Sequence, residues 1–425
     1  MLRLIYTALL YLAAPVVFAF TAWRGVRDPL YRDRLPERFG MTSLRPVQPV
    51  LWVHAVSVGE VQAAAPLIRA LLQRYPQHSL VVTTTTPTGA QRVRSLFVKE
   101  MQADQVQHAY LPYDLPGSVR RFLDRVRPRQ AVIMETEVWP NLYRACAARK
   151  IPIVLVSARL SERSVPRYRR FAGLFGAVVR DLDIGAQTQT DAERFVAIGA
   201  DAGRVRVTGN IKFDMEAPTQ VRDEGAALRD AMFAGRKVWV AGSTHAGEEE
   251  IVLAAHQRIL KIHRDALLIL VPRHPDRFEQ VRNWLGTRSV RFARRSRNEA
   301  AGTANVLLAD TLGELLMLYA AADVAFVGGS LVPHVGGHNL LEPAAFAKPI
   351  LTGPYNANGK DIAQLLIDGG AALEVKSAEE LAAAVAKLFA DPARRDKMGA
   401  EALRILAANR GALARALALI DAQGG

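Results

Sequence analysis

The chain has 425 residues, half of them apolar, which is enough for two or three ordinary cores and excludes a disordered protein. Its formal charge of +14 asks for an anionic partner: nucleic acid, a membrane surface or a phosphorylated substrate. Cys146 is the only cysteine, so an intrachain disulfide is excluded and a reducing compartment is the simpler setting.

Leu4 to Trp23 holds no charged side chain, and its 20 residues match the thickness of a bilayer's hydrocarbon. The run is longer than a signal-peptide core and no clean small-x-small site follows it, so residues 1–24 read as a single-pass anchor. Arg24, Arg27, Arg32, Arg34 and Arg38 follow the run while Arg3 alone precedes it, which places the remainder in the cytosol.

After the anchor, apolar runs alternate with amphipathic stretches. Val50 to His54 precedes a helical pattern over Val61 to Arg74, Leu80 to Thr84 one over Gly89 to Phe97, and Gln130 to Met134 one over Asn141 to Arg149. Ile153 to Ser157 and Arg204 to Thr208 are further candidate strands. From Met215 to Arg236 the chain turns polar, and a second series begins at Lys237 to Ala241. It continues through Leu267 to Val271, Asn305 to Leu308, Val324 to Val327, Pro349 to Thr352 and Ala372 to Val375. This rhythm predicts an α/β protein of two doubly wound, Rossmann-like domains facing a central cleft. Residues 25–214 are expected to form the first, 215–236 a linker, and 237–425 the second with its C-terminal helices; a return of the helical tail to the first domain stays open.

The chemistry-bearing residues cluster just after predicted strands, where open α/β sheets bind ligands. Trp52 to Glu60 is strand, turn and helix start; Ser57 and Glu60 have capping-box spacing, so cap and general base are equally good readings. A carboxylate at that helix start is expected to stay ionised at neutral pH. The threonines from Thr83 to Thr86 would line the same crevice. Glu135 and Glu137 end a wholly apolar strand, a costly place for carboxylates without a partner or a use. In the second domain Ser243, in Ala241-Gly-Ser-Thr-His-Ala-Gly-Glu248, suits a phosphate or sugar carboxylate, and Arg273 a phosphate. The Asp310 to Leu315 turn offers backbone to a base or ribose, and Lys212, near the boundary, could reach an anion in the cleft. Phe326 to Tyr355 carries two Gly-Gly pairs, a Gly-Gly-His-Asn turn and Glu342 one helical turn in. Such glycines let backbone N–H groups approach a nucleotide, and such a carboxylate accepts ribose hydroxyls.

Other motifs fail. His334 and His338 are separated by Gly336 and Gly337, which no helix would hold in register for zinc. Asp181 and Asp183 form an acidic pair common by chance, Gly353 to Lys360 is one residue too long for a P-loop, and the basic runs 159–170 and 291–297 belong to no nucleic-acid motif.

Taken together, Trp52 to Glu60, Glu135 to Asn141, Ser157 to Ser164, Gly209 to Phe213, Gly242 to Glu248, Val271 to His274, Gly328 to Glu342 and Gly353 to Tyr355 resemble the Kdo transferases of lipopolysaccharide assembly, glycosyltransferases of the GT-B architecture. The resemblance implies CMP-Kdo as donor and a hydroxyl of a phosphorylated lipid A precursor, lipid IVA, as acceptor at the inner membrane. It makes Glu60 the general base and Glu135 a second essential carboxylate. It assigns CMP to Pro272, Arg273, Gly313, Glu314, Leu315, Asn339, Leu340, Leu341 and Glu342; Ser243 and Lys212 join them on chemistry alone. Expected with it are an inverting displacement, no cofactor, no metal and no nucleic-acid partner. A UDP-sugar transferase or epimerase on the same scaffold is the alternative.

Overall fold

The computed structural model describes residues 2–27, 29–288, 290–299 and 301–424. Residues up to Asp214 together with those from Arg410 onward make one compact unit, and Met215–Asn409 make the other.

In the first unit β1 (Val50–His54), β2 (Ser79–Thr84), β3 (Val106–Tyr110), β4 (Gln130–Met134), β5 (Ile153–Ala158), β6 (Asp183–Ala186) and β7 (Val205–Val207) form one sheet. Their order is β3-β2-β1-β4-β5-β6-β7, every neighbouring pair parallel. Val50 and Trp52 enter the cluster that holds Phe122 and Leu142, while Leu51 and Val53 enter the opposite one with Ile68 and Phe97. A strand buried on both faces has no polar side to show, which is why β1 and β4 read as unbroken apolar runs. The strand order reverses between β1 and β4, so the loops after these two strands flank a topological switch point.

The second unit repeats the plan. β8 (Val238–Thr244), β9 (Leu267–Pro272), β10 (Phe292–Arg294), β11 (Val306–Leu308), β12 (Val324–Val327), β13 (Ile350–Thr352) and β14 (Ala372–Glu374) run parallel in the order β10-β11-β9-β8-β12-β13-β14. Its switch lies between β8 and β12, which brings the turn after Thr244 beside the glycines that follow Val327.

Three strands escaped the sequence reading. β3 is broken by Gln107 and His108, and His108 is buried only because Arg34 and Thr84 bond its two ring nitrogens. β6 opens on Asp183, one of the acidic pair, which is tied to Arg204 at 2.7 Å. β10 is a short basic edge strand. The expected linker is also corrected: Thr219–Phe233 is a helix of the second unit, with Phe233 buried and Arg229 bonded to the Ala321 carbonyl and Asp323. Its charged outer face had the composition of a linker.

The tail divides. Helices Ala378–Ala390 and Pro392–Ala408 stay with the second unit, whereas Ala412–Asp421 returns to the first. Gly411 gives that last helix no side-chain cap, and Asp214 supplies one from a distance, accepting from the amides of Gly411 at 2.6 Å and Leu413 at 2.5 Å. Gln130 on β4 donates to the Ile420 carbonyl.

At the start of the chain, Leu2–Arg27 forms one helix, apolar and long enough to cross a membrane.

Replacing Asp214 by Ala removes both cap bonds and should cost about 1–2 kcal/mol of tail docking. Hydrogen exchange read by mass spectrometry is expected to show faster exchange over residues 410–424 with β1 and β4 unchanged; uniform exchange in both would refute the cap.

Candidate functional site

In the first unit the candidate site grows from the ends of β1, β4 and β5. Ser57 caps the Val58–Arg74 helix without accepting from its amides, so the capping spacing is not used as a capping box. The Ser57 hydroxyl donates to Glu60 Oε1 at 3.3 Å, and the Val56 amide donates to Oε2 at 2.8 Å. Glu60 is thereby aimed by the loop that precedes it. Desolvation raises its pKa to about 7, and the nearby charges of Glu135 and Glu137 add to the rise against the two hydrogen bonds. Burial therefore opposes the ionised form that the helix N-terminus was expected to favour.

Glu135 follows β4 with φ 55°, a left-handed backbone uncommon for a side chain of this kind, held by its amide's bond to the Val156 carbonyl. Ser157 at the end of the neighbouring β5 shares that conformation, at φ 51°, and its hydroxyl accepts from the Ile211 amide. That bond sets the short turn Ile211–Asp214, which carries Lys212 back to Glu135 with Nζ 2.9 Å from Oε1. Lys212, expected to reach an anionic ligand, is paired here with a carboxylate of its own unit. Glu137 is raised by burial and, less, by the charge of Glu135.

Two of the four threonines turn inward, and Thr85 and Thr86 stay partly exposed. Thr83 and Thr84 are fully buried; the Thr83 hydroxyl accepts from Trp52 Nε1 at 2.8 Å and meets His54, and Thr84 meets His108. Thr86 caps the next helix by accepting from the Gly89 amide.

In the second unit the glycines after β12 are held in a way the sequence did not foretell. Glu248, fully buried, accepts from the amides of His245, Gly329, Ser330 and Leu331 at 2.6–3.0 Å. Of the first Gly-Gly pair, Gly329 thus gives its N–H to an internal carboxylate, while the Gly328 amide donates to the Gly242 carbonyl at 2.8 Å. Burial raises the Glu248 pKa while these four bonds oppose it. Ser330 then fastens this loop to the one after β13: its hydroxyl donates to the Val327 carbonyl and accepts from the Gly353 amide. Only glycine fits at 353, where a β-carbon would stand 2.1 Å from the Ser330 oxygen.

Around this frame lie the expected nucleotide contacts. Arg273 follows β9, exposed, with no ion-pair partner among the described residues and its amide bonded to the Thr244 carbonyl. Ser243 ends β8 at φ 59°. Pro272, Leu340 and Leu341 have buried side chains, so only their main chain is available to a ligand. Asn339 braces its own turn, accepting from the Leu341 amide, and its side-chain amide lies 3.5 Å from Glu342. Gly313 has φ 86° and open space around it, Leu315 begins the helix Leu315–Ala321, and Glu314 between them is held bidentately by Arg295. Burial works against that carboxylate's charge, but Arg295 and Thr311 bring its pKa below the usual range.

Sequence reasoning missed the imidazoles beside Arg273. His245 and His338 stack with Nε2 atoms 2.8 Å apart, and His274 lies edge-on to His245. Desolvation, with the neighbouring cations, lowers His245 to about 4 and His338 to about 3. The pair is neutral at pH 7 and shares one N–H, so an anion here would meet arginine charge and imidazole donors, not imidazolium. Nothing in the sequence brings together residues 93 positions apart.

Residues 33–215 match the family model described as 3-deoxy-D-manno-octulosonic-acid transferase (kdotransferase). A 3-deoxy-D-manno-octulosonic acid transferase of Haemophilus influenzae is 41% identical over 426 residues, spanning 99% of this chain and 98% of that one. Another, from Bordetella pertussis, is 40% identical over 435 residues and spans 99% of both chains. A UDP-GlcNAc 2-epimerase of Neisseria meningitidis, 14% identical, superposes on 88% of this chain and 99% of its own with a TM-score of 0.57, a likeness of fold alone.

Glu248→Ala would leave four amides without their acceptor, at about 1–3 kcal/mol for each that water cannot reach. Urea denaturation should show a loss of at least about 3 kcal/mol, and a change below about 1 kcal/mol would show that the carboxylate is not what holds the loop.

Proposed function

The chain belongs to the Kdo transferase family, and from that membership we propose that it moves Kdo, 3-deoxy-D-manno-octulosonic acid, from CMP-Kdo onto a hydroxyl of a phosphorylated lipid A precursor such as lipid IVA. The observation that carries the reading is identity to a curated Kdo transferase at 41% over the whole chain. The proposed setting is the cytoplasmic face of the inner membrane, in lipopolysaccharide core assembly, with the N-terminal helix as anchor.

In this reading Glu60 takes the proton of the acceptor hydroxyl as its oxygen attacks the anomeric carbon. The bond from that carbon to the CMP phosphate breaks, and CMP leaves with the electron pair. A single displacement inverts the anomeric centre and needs one base. A carboxylate with a pKa of about 7 is well matched to that task at cellular pH, being a stronger base than a solvated one and still largely available. Glu135 and Glu137 support it by making ionisation of Glu60 harder, hence its basicity higher. Lys212 is moved in this proposal from donor binding to the pairing of Glu135.

Arg273, exposed beside a strand end, is suited to the CMP phosphate, and the glycine-rich turns to close main-chain contact with it. Pro272, Gly313, Leu315, Leu340 and Leu341 would contribute backbone, and Asn339 and Glu342 polar groups to the nucleoside. The departing CMP carries one phosphate, less charge than a diphosphate, so guanidinium and backbone donors can stabilise it without a divalent cation.

Incubating the protein with CMP-Kdo and lipid IVA, with products read by mass spectrometry, is expected to add Kdo residues to the lipid; thermal stabilisation by UDP and not by CMP would overturn the donor assignment. Glu60→Gln should keep CMP binding and lose about 10²–10⁴-fold in turnover. For the unaltered enzyme, kcat/KM should rise as pH rises through about 7, where Glu60 gives up its proton; a limb below pH 5 would assign the base elsewhere.

A further inference from the structure

The N-terminal helix does not stand away from the unit it belongs to. Three of its hydroxyl-bearing side chains reach that unit: Tyr6 donates to Asp114 at 2.9 Å and the Thr7 hydroxyl lies 3.2 Å from Asn141 Oδ1. Thr21 donates to the Val17 carbonyl, so the Tyr113 hydroxyl, 3.3 Å away, donates to Thr21. Between them Leu10 and Ala14 are partly covered, and Gly25 beyond them is buried against Arg32. These residues form one stripe along the helix. The opposite side is open and apolar, with Leu4, Leu9, Leu12, Val16 and Phe20 between 53% and 75% exposed.

Tyr6 and Thr21 are about 22 Å apart along a helix axis. A helix crossing the hydrocarbon while keeping these bonds would draw Tyr113, Asp114 and Asn141 into it over most of its roughly 30 Å depth. Asp114 is buried and accepts from the amides of Asn141 and Leu142, so it cannot follow without its whole neighbourhood. Intramembrane carboxylates and loop backbone are costly. The surface beside the helix has the opposite character. Leu2 touches Gly173 of the helix Ala172–Val179, an almost wholly apolar segment whose Ala172, Gly173 and Ala177 are exposed. Phe171 is 43% exposed, and Arg167, Arg169 and Arg170 precede it on the surface.

From this we propose that Leu2–Arg27 lies along a bilayer surface instead of crossing it, its outer side and the exposed side of Ala172–Val179 forming one seat on anionic lipid. The occupant is a lipid surface because the exposed side is continuous and apolar over the length of the helix, and because arginines border it at headgroup level. The arginine asymmetry that suggested a cytosolic domain holds equally for a helix lying on that face. The proposal rests on the membrane part of the function above and not on its chemistry.

The test uses the full-length protein in inverted membrane vesicles, with single cysteines at Arg3→Cys, Leu12→Cys or Arg24→Cys; the native Cys146 is buried and the parent chain gives the background. A membrane-impermeant maleimide added outside is expected to label residues 3 and 24 alike, and a fluorophore at residue 12 to be quenched by shallow lipid quenchers, about 5–10 Å deep. If residue 3 labels only after the vesicles are opened, with residue 12 at the bilayer centre, the helix spans and the proposal fails while the transferase reading stands. If residue 12 reports water, the proposal fails together with the membrane setting. All three positions are exposed and none carries a hydroxyl bonded to the unit; Arg24→Cys gives up the packing of its guanidinium over the Tyr31 ring and leaves the bonds of Tyr6, Thr7 and Thr21 in place.

Discussion

A carboxylate withdrawn from water must gain hydrogen-bond donors, a counter-charge or a proton. Four acidic side chains at strand ends meet that requirement in different ways. Glu248 takes four main-chain donors, Glu249 takes the Arg277 guanidinium at 2.6 and 3.2 Å, and Glu135 takes Lys212. Glu60 is the exception: it has two donors, no ion-pair partner among the described residues, and two neighbours of its own sign. The others are satisfied by fixed structure, whereas burial lifts Glu60 to about 7. Its distinction as a base follows from what its neighbours lack.

The same requirement explains what the sequence showed and what it hid. The central strands were legible because parallel strands buried on both faces cannot alternate, so β1, β4, β9 and β12 stand out as apolar runs. Candidate residues just beyond them were legible too, since the order reversals at β1/β4 and β8/β12 place those loops at a switch point. Hidden were the partners. Glu248 looks like an ordinary first-turn acid, and it does accept from the His245 amide three residues back, yet its other donors lie more than 80 positions away. A single sequence carries no mark of such a pairing.

The glycine-rich block shows how this changes a reading without discarding it. In sequence its first glycines read as open amides for a nucleotide; in the structure both amides have internal partners, Gly329 the Glu248 carboxylate and Gly328 the Gly242 carbonyl. A loop pinned by an internal carboxylate is preorganised: it need not wait for ligand to satisfy its amides, so less ordering remains for binding to oppose. The Thr83 to Thr86 run is the parallel case in the other unit, its first hydroxyls spent on Trp52, His54 and His108. In both, groups that looked addressed to a substrate are the support on which substrate-facing groups rest.

Hydropathy has the same weakness as motif reading, and the N-terminal helix exposes it. Averaged over its length the run is apolar enough to span, with a mean hydropathy of 2.0. Position along the helix carries what the average erases. At 100° per residue, positions 6, 7, 10, 14, 21 and 25 fall within an arc of about 100°, so the hydroxyl-bearing side chains that bind the unit share one narrow side. A helix meant to pass through lipid alone has no reason to gather its hydroxyls there; one that must hold a folded unit on one side and lipid on the other does. The periodicity was present in the sequence, but reading it required knowing that Asp114, Asn141 and Tyr113 stand opposite.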